Sequence, residues 1–145
     1  MQFRATPLLV TLSLTAVLAA GFGACAKSDD TLITTPTIVN KTDNFSGSIA
    51  QLGVAVHPFA MTTAGSLTIG LTAVGPLSTL ALGVGIGTWD GTNCSANATQ
   101  NDSSKSGVLA LSGSAGAGNY CVRVYDSGNI VEGATATYTV QVVHP

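Results

Sequence analysis

Apolar and polar positions alternate along most of the chain beyond residue 44. In residues 80–87, leucine, valine and isoleucine stand at every second position, with glycine or alanine between them. This period of two is typical of β-strands with one buried face, and nothing beyond residue 25 repeats with the 3.6-residue period of a helix. The pattern predicts strands at residues 45–49, 54–61, 65–72, 79–88, 108–111, 120–125 and 135–143.

About seven or eight short strands with glycine-rich connections predict an all-β fold, a jelly-roll-like antiparallel β-sandwich of two sheets. Pro58 cannot donate to a ladder, so its strand is expected at a sheet edge or at a bulge. The glycines on the outer face of strand 79–88 indicate strong twist or the close approach of another segment. Residues 89–106 are polar and are predicted to form a long loop.

The N-terminal residues have the parts of a secretory signal. Arg4 is followed by an uncharged, mostly apolar run and by small residues before Cys25. The letters FGAC at residues 22–25 resemble a bacterial lipobox, in which the cysteine receives a diacylglycerol and becomes the mature N-terminus. The resemblance implies a chain divided into a lipoprotein-type signal peptide at 1–24, a lipidated N-terminus with a flexible tether at 25–43 and a β-sandwich domain at 44–145.

Two other processing outcomes stay open. Cleavage at the small-x-small sequence of residues 24–26 would discard Cys25 and release a secreted domain. Alternatively, the uncharged run could stay as a membrane-spanning helix, since about 20 apolar residues suffice to span a bilayer. All three outcomes place the domain outside the cytoplasm, with the lipid-anchored form at the bacterial cell envelope as the leading prediction.

Three cysteines occur in the chain, and Cys94 and Cys121 remain once Cys25 is assigned to lipid. In an oxidising compartment this even pair predicts a disulfide. The bond would close a loop of about 28 residues, for which chain entropy gives roughly 3–4 kcal/mol. Two buried free thiols are the alternative, whereas zinc is disfavoured because no other cysteine or histidine stands at ligand spacing.

Charged residues make up 8% of the chain, and the net charge is −2. Without a basic patch to replace phosphate counterions, nucleic acid is excluded as a partner. No polybasic segment is present for anionic lipid heads either. The partners that remain are a membrane, reached through the lipid anchor, and an envelope protein or polysaccharide at a surface rich in threonine, serine, asparagine and glycine.

Three short motifs resemble those of one family. They are AGSLTI at residues 64–69, AGNYCVRV at 117–124 and YTVQV at 138–142, and together they resemble the strand motifs of the bacterial pre-peptidase C-terminal (PPC) domain. The resemblance covers about residues 45–143. It implies a jelly-roll-like accessory sandwich linked to secretion, to substrate or surface binding, and sometimes to calcium. The family's acidic calcium-binding residues have no clear counterpart here, so no site is carried over.

No catalytic set stands out, and we predict a protein that is not an enzyme and needs no cofactor. His57 and His144 are the two histidines, and neither a Gly-x-Ser-x-Gly elbow nor an HExxH motif occurs. Asp90 and Asp126 begin the turn-like sequences DGTN and DSGN, which could offer oxygens to calcium. Each supplies one carboxylate, so ordinary turn chemistry is the favoured interpretation.

Trp89, Arg123 and Tyr125 are the candidate binding residues. Trp89 could stack on a sugar ring or anchor a partner, although a core or lid position is the favoured interpretation. Arg123 and Tyr125 share the outer face of their strand, where they could form a recognition patch or lie under the Cys94 loop. The sequence thus predicts a non-catalytic exported lipoprotein with an accessory or binding sandwich. The alternatives are an assembly component of the envelope or a secretion system, and a secreted glycan-binding module.

Overall fold

Eight β-strands form two antiparallel sheets in the computed structural model, which describes residues 37–145 apart from the side chains of residues 96–98. The strands are β1 (Lys41–Ala50), β2 (Val54–Met61), β3 (Gly65–Gly75), β4 (Leu82–Trp89), β5 (Cys94–Ser104), β6 (Val108–Ala115), β7 (Gly118–Tyr125) and β8 (Thr135–His144). Sheet A has the order β1-β8-β3-β6, and sheet B has the order β2-β7-β4-β5. This is the strand order of a jelly roll, so the predicted fold class is confirmed.

The predicted signal peptide, Cys25 and the tether as far as residue 36 lie outside the described residues. Between residues 37 and 145, no helix has the length and apolar character needed to cross a membrane.

The core lies between the two sheets and is built from the inward positions of the alternating strands. In β8 the inward side chains are Ala136, Tyr138, Val140 and Val142, all at most 2% exposed, as the alternation predicts. Sheet B contributes the fully buried Leu82, Val84, Val122 and Val124 from its two central strands. Burying one such aliphatic side chain is worth about 1.5–3 kcal/mol, so these central strands hold the sandwich together.

Pro58 stands in β2, an edge strand of sheet B that pairs with β7 alone. An edge strand has one side without a ladder partner, so a residue that lacks an N–H group is accommodated there. The predicted edge position is therefore confirmed.

The predicted polar loop at residues 89–106 is wrong, because Cys94–Ser104 form strand β5 against β4. β5 is the other edge strand of sheet B, and its ladder contains a wide irregularity: Ile86 pairs with Thr99, but Thr88 pairs with Ser95. Pairing in a sheet uses backbone groups, which polar residues supply as well as apolar ones. The missing hydrophobic alternation therefore did not exclude a strand.

Three strand starts also differ from the prediction, and β7 begins at Gly118, two residues before the predicted start at residue 120. β1 begins at Lys41 rather than after the proposed tether, because the first three residues of the strand pair with the last residues of β8. β4 begins at Leu82 rather than at residue 79, because the N–H of Leu80 instead closes a turn onto the carbonyl of Leu77 at 3.0 Å.

Candidate binding face on sheet B

Three side chains of β7 stand on the outer face of sheet B, and each is opposite a glycine of β4. The pairs are Cys121 with Gly87, Arg123 with Gly85, and Tyr125 with Gly83. Directly opposite residues of an antiparallel pair share one face of the sheet. We call the outer surface around these six residues the glycine face. It exists because β4 alternates large inward residues with glycines, so the side chains of β7 have room to lean across β4.

The ring of Tyr125 uses the space above Gly83, where an added Cβ atom would collide with it. Its hydroxyl group donates a hydrogen bond to the carboxylate of Asp102 on β5. Burial, followed by this bond to Asp102, raises the pKa of Tyr125 to about 12. The ring is therefore fixed across β4 at both ends, by its own strand and by β5.

The guanidinium carbon of Arg123 lies 5.7 Å from the centroid of the Tyr125 ring, within the range of a cation–π contact. The ion pairs among the described residues are those of Asp43 with Lys41 and with His144. Arg123 therefore has an aromatic neighbour but no carboxylate partner in that part of the chain. A guanidinium group presents a planar set of N–H donors, which suits carboxylate and phosphate ligands.

The disulfide predicted between Cys94 and Cys121 is present, with the two Cα atoms 5.8 Å apart. Cys121 is fully buried, whereas Cys94 is partly exposed. The bond joins β5 to β7, which lie on either side of β4 in the sheet, so it fastens the edge strand across its neighbour. Bonds of this kind are typical of proteins that function outside the cytoplasm, where thiols are oxidised.

Trp89 ends β4 opposite Cys94 and is half-buried. The alternation of β4 places its side chain on the glycine face, but about 13 Å along the strand from Gly85, since each residue of a strand advances about 3.3 Å. The structure thus brings Arg123 and Tyr125 into contact, as the sequence allowed. It leaves Trp89 on the same face beyond the disulfide.

Two residues of this face, Gln100 and Asp102, were missed by sequence reasoning. Gln100 pairs with Gly85, and Asp102 accepts the hydroxyl of Tyr125. Both belong to β5, which the sequence analysis predicted to be part of a polar loop, with packing of that loop over this face as the alternative to a recognition patch. The segment instead lies beside β4 in the sheet and reaches the face with its side chains. The glycines of β4 were the one available signal, because they indicate that another group approaches closely.

Both histidines lie inside the sandwich, at the side where β1 and β2 meet. The Nε2 atom of His57 is 2.7 Å from the Tyr138 hydroxyl oxygen, and its ring stacks on Phe45 with centroids 5.0 Å apart. Burial lowers the pKa of His57. His144 is fully buried, with Nε2 3.0 Å from a carboxylate oxygen of Asp43 and Nδ1 2.9 Å from the carbonyl of Pro145. The hydrogen bonds of the two rings are therefore made to the Tyr138 hydroxyl, the Asp43 carboxylate and the Pro145 backbone.

The two aspartate turns use their carboxylates on backbone N–H groups. Asp90 accepts from the N–H groups of Thr92 and Asn93 at 2.8 and 2.6 Å, and these bonds lower its pKa. Asp126 accepts four such bonds, from Leu52, Gly128, Asn129 and Ile130. Within residues 37–145, no three His, Cys, Asp or Glu side chains converge as metal ligands would.

A cleft of about 260 Å³ opens between the sheets, between the edge strands β5 and β6. Its floor is apolar and includes Leu67, Ile69 and Leu111, while serine and threonine hydroxyls stand around it. Its lining contains no charged side chain among the described residues. Ser95 and Thr99, which bracket the undescribed side chains of residues 96–98, form part of one wall.

The described residues thus form a jelly-roll sandwich with a disulfide bond within one sheet. Its glycine face places the guanidinium group of Arg123 against the ring of Tyr125. No protein-family model matches this sequence, and no curated protein sequence matches it. The three motifs that resemble the PPC domain fall almost entirely within β3, β7 and β8.

Proposed function

We propose that this protein is a non-catalytic bacterial lipoprotein, exported and held at the cell envelope, whose sandwich is an accessory binding domain. The observation that carries the proposal is the glycine face. Arg123 lies there against the ring of Tyr125, opposite Gly85 of β4 and without a carboxylate partner among the described residues. An arginine without a carboxylate partner favours recognition of an external anionic group.

Two further observations support the accessory role. The motifs that resemble the PPC domain include those of β7, the strand that carries Arg123 and Tyr125, and that family consists of accessory domains of exported proteins. Moreover, the hydrogen bonds given for the two histidines are to Tyr138, to the Asp43 carboxylate and to the backbone of Pro145, and none is to a serine hydroxyl.

The lipid anchor is tested by growing cells that express the protein with radiolabelled palmitate. We expect label on the wild-type protein and none on Cys25→Ala, because the thiol is the acylated group. An unlabelled wild type, together with normal export of Cys25→Ala, would contradict the anchor. Recovery of the wild-type protein from the medium would instead favour the secreted alternative.

The second candidate is an assembly component of the envelope or of a secretion system, and the edge strand β2 favours it. Val54 and Val56 are 52% and 37% exposed on this strand, and Leu52, just before it, is 81% exposed. An edge strand with apolar side chains can add a strand of another protein to its sheet.

Pull-down from solubilised membranes separates the two candidates. An assembly component is expected to retain one envelope protein, and Val56→Lys is expected to release it, because lysine on an edge strand opposes strand addition. Arg123→Gln should leave that partner bound. The binding-domain proposal makes the opposite prediction: the ligand is lost in Arg123→Gln, whereas Val56→Lys, which adds a second cation opposite Arg123 on the same face, does not remove it.

A further inference from the structure

We infer that the cleft between the edge strands β5 and β6 binds the aliphatic chain of an uncharged lipid, with room for about ten heavy atoms. The cleft opens between the sheets, so it lies on the inner side of sheet B, whereas the glycine face is on the outer side. The inference is therefore independent of the anionic ligand proposed for Arg123.

Gly113 of β6 is the residue that leaves the cleft open. It pairs with Leu67 of β3, which is 6% exposed, so both positions face the inside of the sandwich. Apart from its neighbours in the chain, an added Cβ atom at Gly113 would meet no heavy atom within 4 Å, although protein interiors are normally close-packed. The φ angle of Gly113 is not positive, so its backbone conformation does not require glycine. What the glycine provides is space.

The inward face of β4 shows the same opening from the other sheet. Along this face Val84 is fully buried, Ile86 is half-buried and Thr88 is exposed. At the level of Val84, the side-chain amide of Asn101 donates to the carbonyl of Ala110 at 3.1 Å and thereby joins β5 to β6. The cleft is therefore closed at the end near Val84 and open at the end near Thr88.

The dimensions of the cleft match one extended chain. An engineered cavity of about 150 Å³ with an apolar lining binds benzene, so a volume of about 260 Å³ has room for roughly ten heavy atoms. On β6 the lining extends from Leu111 to Ala115, a length of about 13 Å at about 3.3 Å per residue. A ligand of this volume and length is narrow, which favours a hydrocarbon chain over a flat ring system.

The chemistry of the lining favours an uncharged ligand with a polar end. Leu67, Ile69 and Leu111 supply the apolar floor. None of the described lining residues is charged, and residues 95–99 have the uncharged sequence SANAT. A carboxylate or ammonium group would lose its hydration there without gaining a partner of opposite charge. The hydroxyl group of Thr88 stands at the open end, and edge strands carry backbone groups without ladder partners, so an alcohol or ester group finds hydrogen-bond partners at the mouth.

The test measures the affinity of the full chain for linear 1-alkanols by titration calorimetry. The chain carries Cys25→Ala, so that no acyl group of the protein itself competes for the cleft. We expect saturable binding of one alcohol per protein, with an affinity that rises about fourfold per methylene from 1-hexanol to 1-nonanol. The affinity should then level off, because further methylenes extend beyond the cleft. Nonanoate at pH 8 should bind at least about tenfold more weakly than 1-nonanol, since its carboxylate has no partner.

Substitutions at Gly113 make the result specific. Gly113→Val should fill the cleft and bind 1-nonanol at least about tenfold more weakly, because it takes the place of several methylenes of the ligand. Its thermal midpoint should be no lower than that of wild type, since the added methyl groups cover the apolar floor. Gly113→Ala should lie between the two in affinity. Gly116→Val is the matched control, because an added Cβ atom at Gly116 also meets no heavy atom within 4 Å but Gly116 does not line the cleft. It should bind like wild type.

The inference is overturned if none of the alcohols binds, if Gly113→Val binds 1-nonanol as tightly as wild type, or if Gly116→Val loses as much affinity as Gly113→Val. Should Gly113→Val fail to fold, Gly113→Ala decides in its place, and an affinity equal to that of wild type would overturn the inference. An affinity that keeps rising through 1-dodecanol would show partition onto an apolar surface instead of binding in a cleft. Tighter binding of nonanoate or of benzyl alcohol than of 1-nonanol would overturn the assignment to an uncharged chain.

Discussion

Two turns of this protein have closely similar sequences, DGTN at residues 90–93 and DSGN at 126–129, yet they attach to the sandwich in different ways. In each turn, the aspartate Oδ1 atom accepts hydrogen bonds from the backbone N–H groups two and three residues further on. This is the ordinary local chemistry of aspartate in a turn. Within the four residues, the two turns are nearly equivalent.

The difference lies in what each aspartate contacts beyond its own turn. Asp126 is only 8% exposed and accepts two more N–H groups, from Ile130 at 3.1 Å and from Leu52 at 2.9 Å. The N–H of Asp126 in turn donates to the carbonyl of Gly53 at 3.0 Å. The turn after β7 is thereby fastened to the turn between β1 and β2.

Asp90 is exposed, and its side chain bonds only within its own turn among the described residues. The attachment of this turn is covalent instead, since Cys94 follows it directly and is bonded to Cys121. The comparison shows that the local sequence determines the shape of a turn. The contribution of the turn to stability depends on its contacts with residues far away in the sequence.

The largest effect is expected from removing the covalent attachment. The double variant Cys94→Ala, Cys121→Ala should lose about 3–4 kcal/mol in the free energy of unfolding, because the bond closes a loop between residues 27 apart. Urea unfolding followed by tyrosine and tryptophan fluorescence measures it. Reduction should destabilise the wild type by a similar amount and leave the variant unchanged. Equal midpoints for oxidised and reduced wild type would contradict this expectation.

The next effect concerns the attachment of the other turn through Asp126. Asp126→Ala should cost about 2–3 kcal/mol, because it leaves several backbone N–H groups without their acceptor in a buried place. The same urea experiment measures it. Asp126→Asn keeps one acceptor oxygen and should lie between alanine and wild type. If Asp126→Ala lowered the free energy of unfolding no more than Asp90→Ala does, the hydrogen bond from the Leu52 N–H would contribute nothing measurable to stability.

The response to acid should show how much the hydrogen bonds to the Asp126 carboxylate stabilise the fold. Burial alone would raise the pKa of Asp126, but the four backbone hydrogen bonds outweigh it and hold the pKa below the usual 3.8. A lowered pKa in the folded state means that the bonds stabilise the fold above pH 3.8 and that this contribution is lost as the pH falls through the lower, folded value. We expect wild type to lose more stability than Asp126→Asn on acidification from pH 5 to about pH 2. Parallel curves for the two proteins would rule this out.

The sequence was sufficient for the parts of the fold whose side chains alternate. The inward residues of β8 and the edge position of Pro58 could be predicted because one face of each strand is apolar or because proline lacks a donor. Strand β5 could not be predicted, because the residues Cys94–Ser104 are mostly polar and pair through their backbone at the edge of the sheet. The wide irregularity between Ser95 and Thr99 further removes any regular period.

The candidate site was predictable to the same extent. Alternation along β7 placed Arg123 and Tyr125 on one outer face, and the glycines of β4 indicated close approach. The partner of Tyr125, Asp102, could not be predicted, because it depends on the register of a strand that the sequence does not show. Likewise, nothing near Asp126 in the sequence indicates Leu52, which lies 74 residues away.

The smallest effect is expected at Asp90, and it is the sharpest test of the comparison. Asp90→Ala removes the same two local bonds that Asp126 makes within its turn, but it exposes the freed N–H groups to water, which replaces the lost acceptor. Its unfolding midpoint should therefore lie close to that of wild type while the disulfide is intact. The same substitution under reducing conditions should have a larger effect, because the turn then closes the β4–β5 hairpin without covalent help. A strong destabilisation of the oxidised protein by Asp90→Ala would show instead that the local bonds, rather than the distant attachments, determine how much each turn contributes.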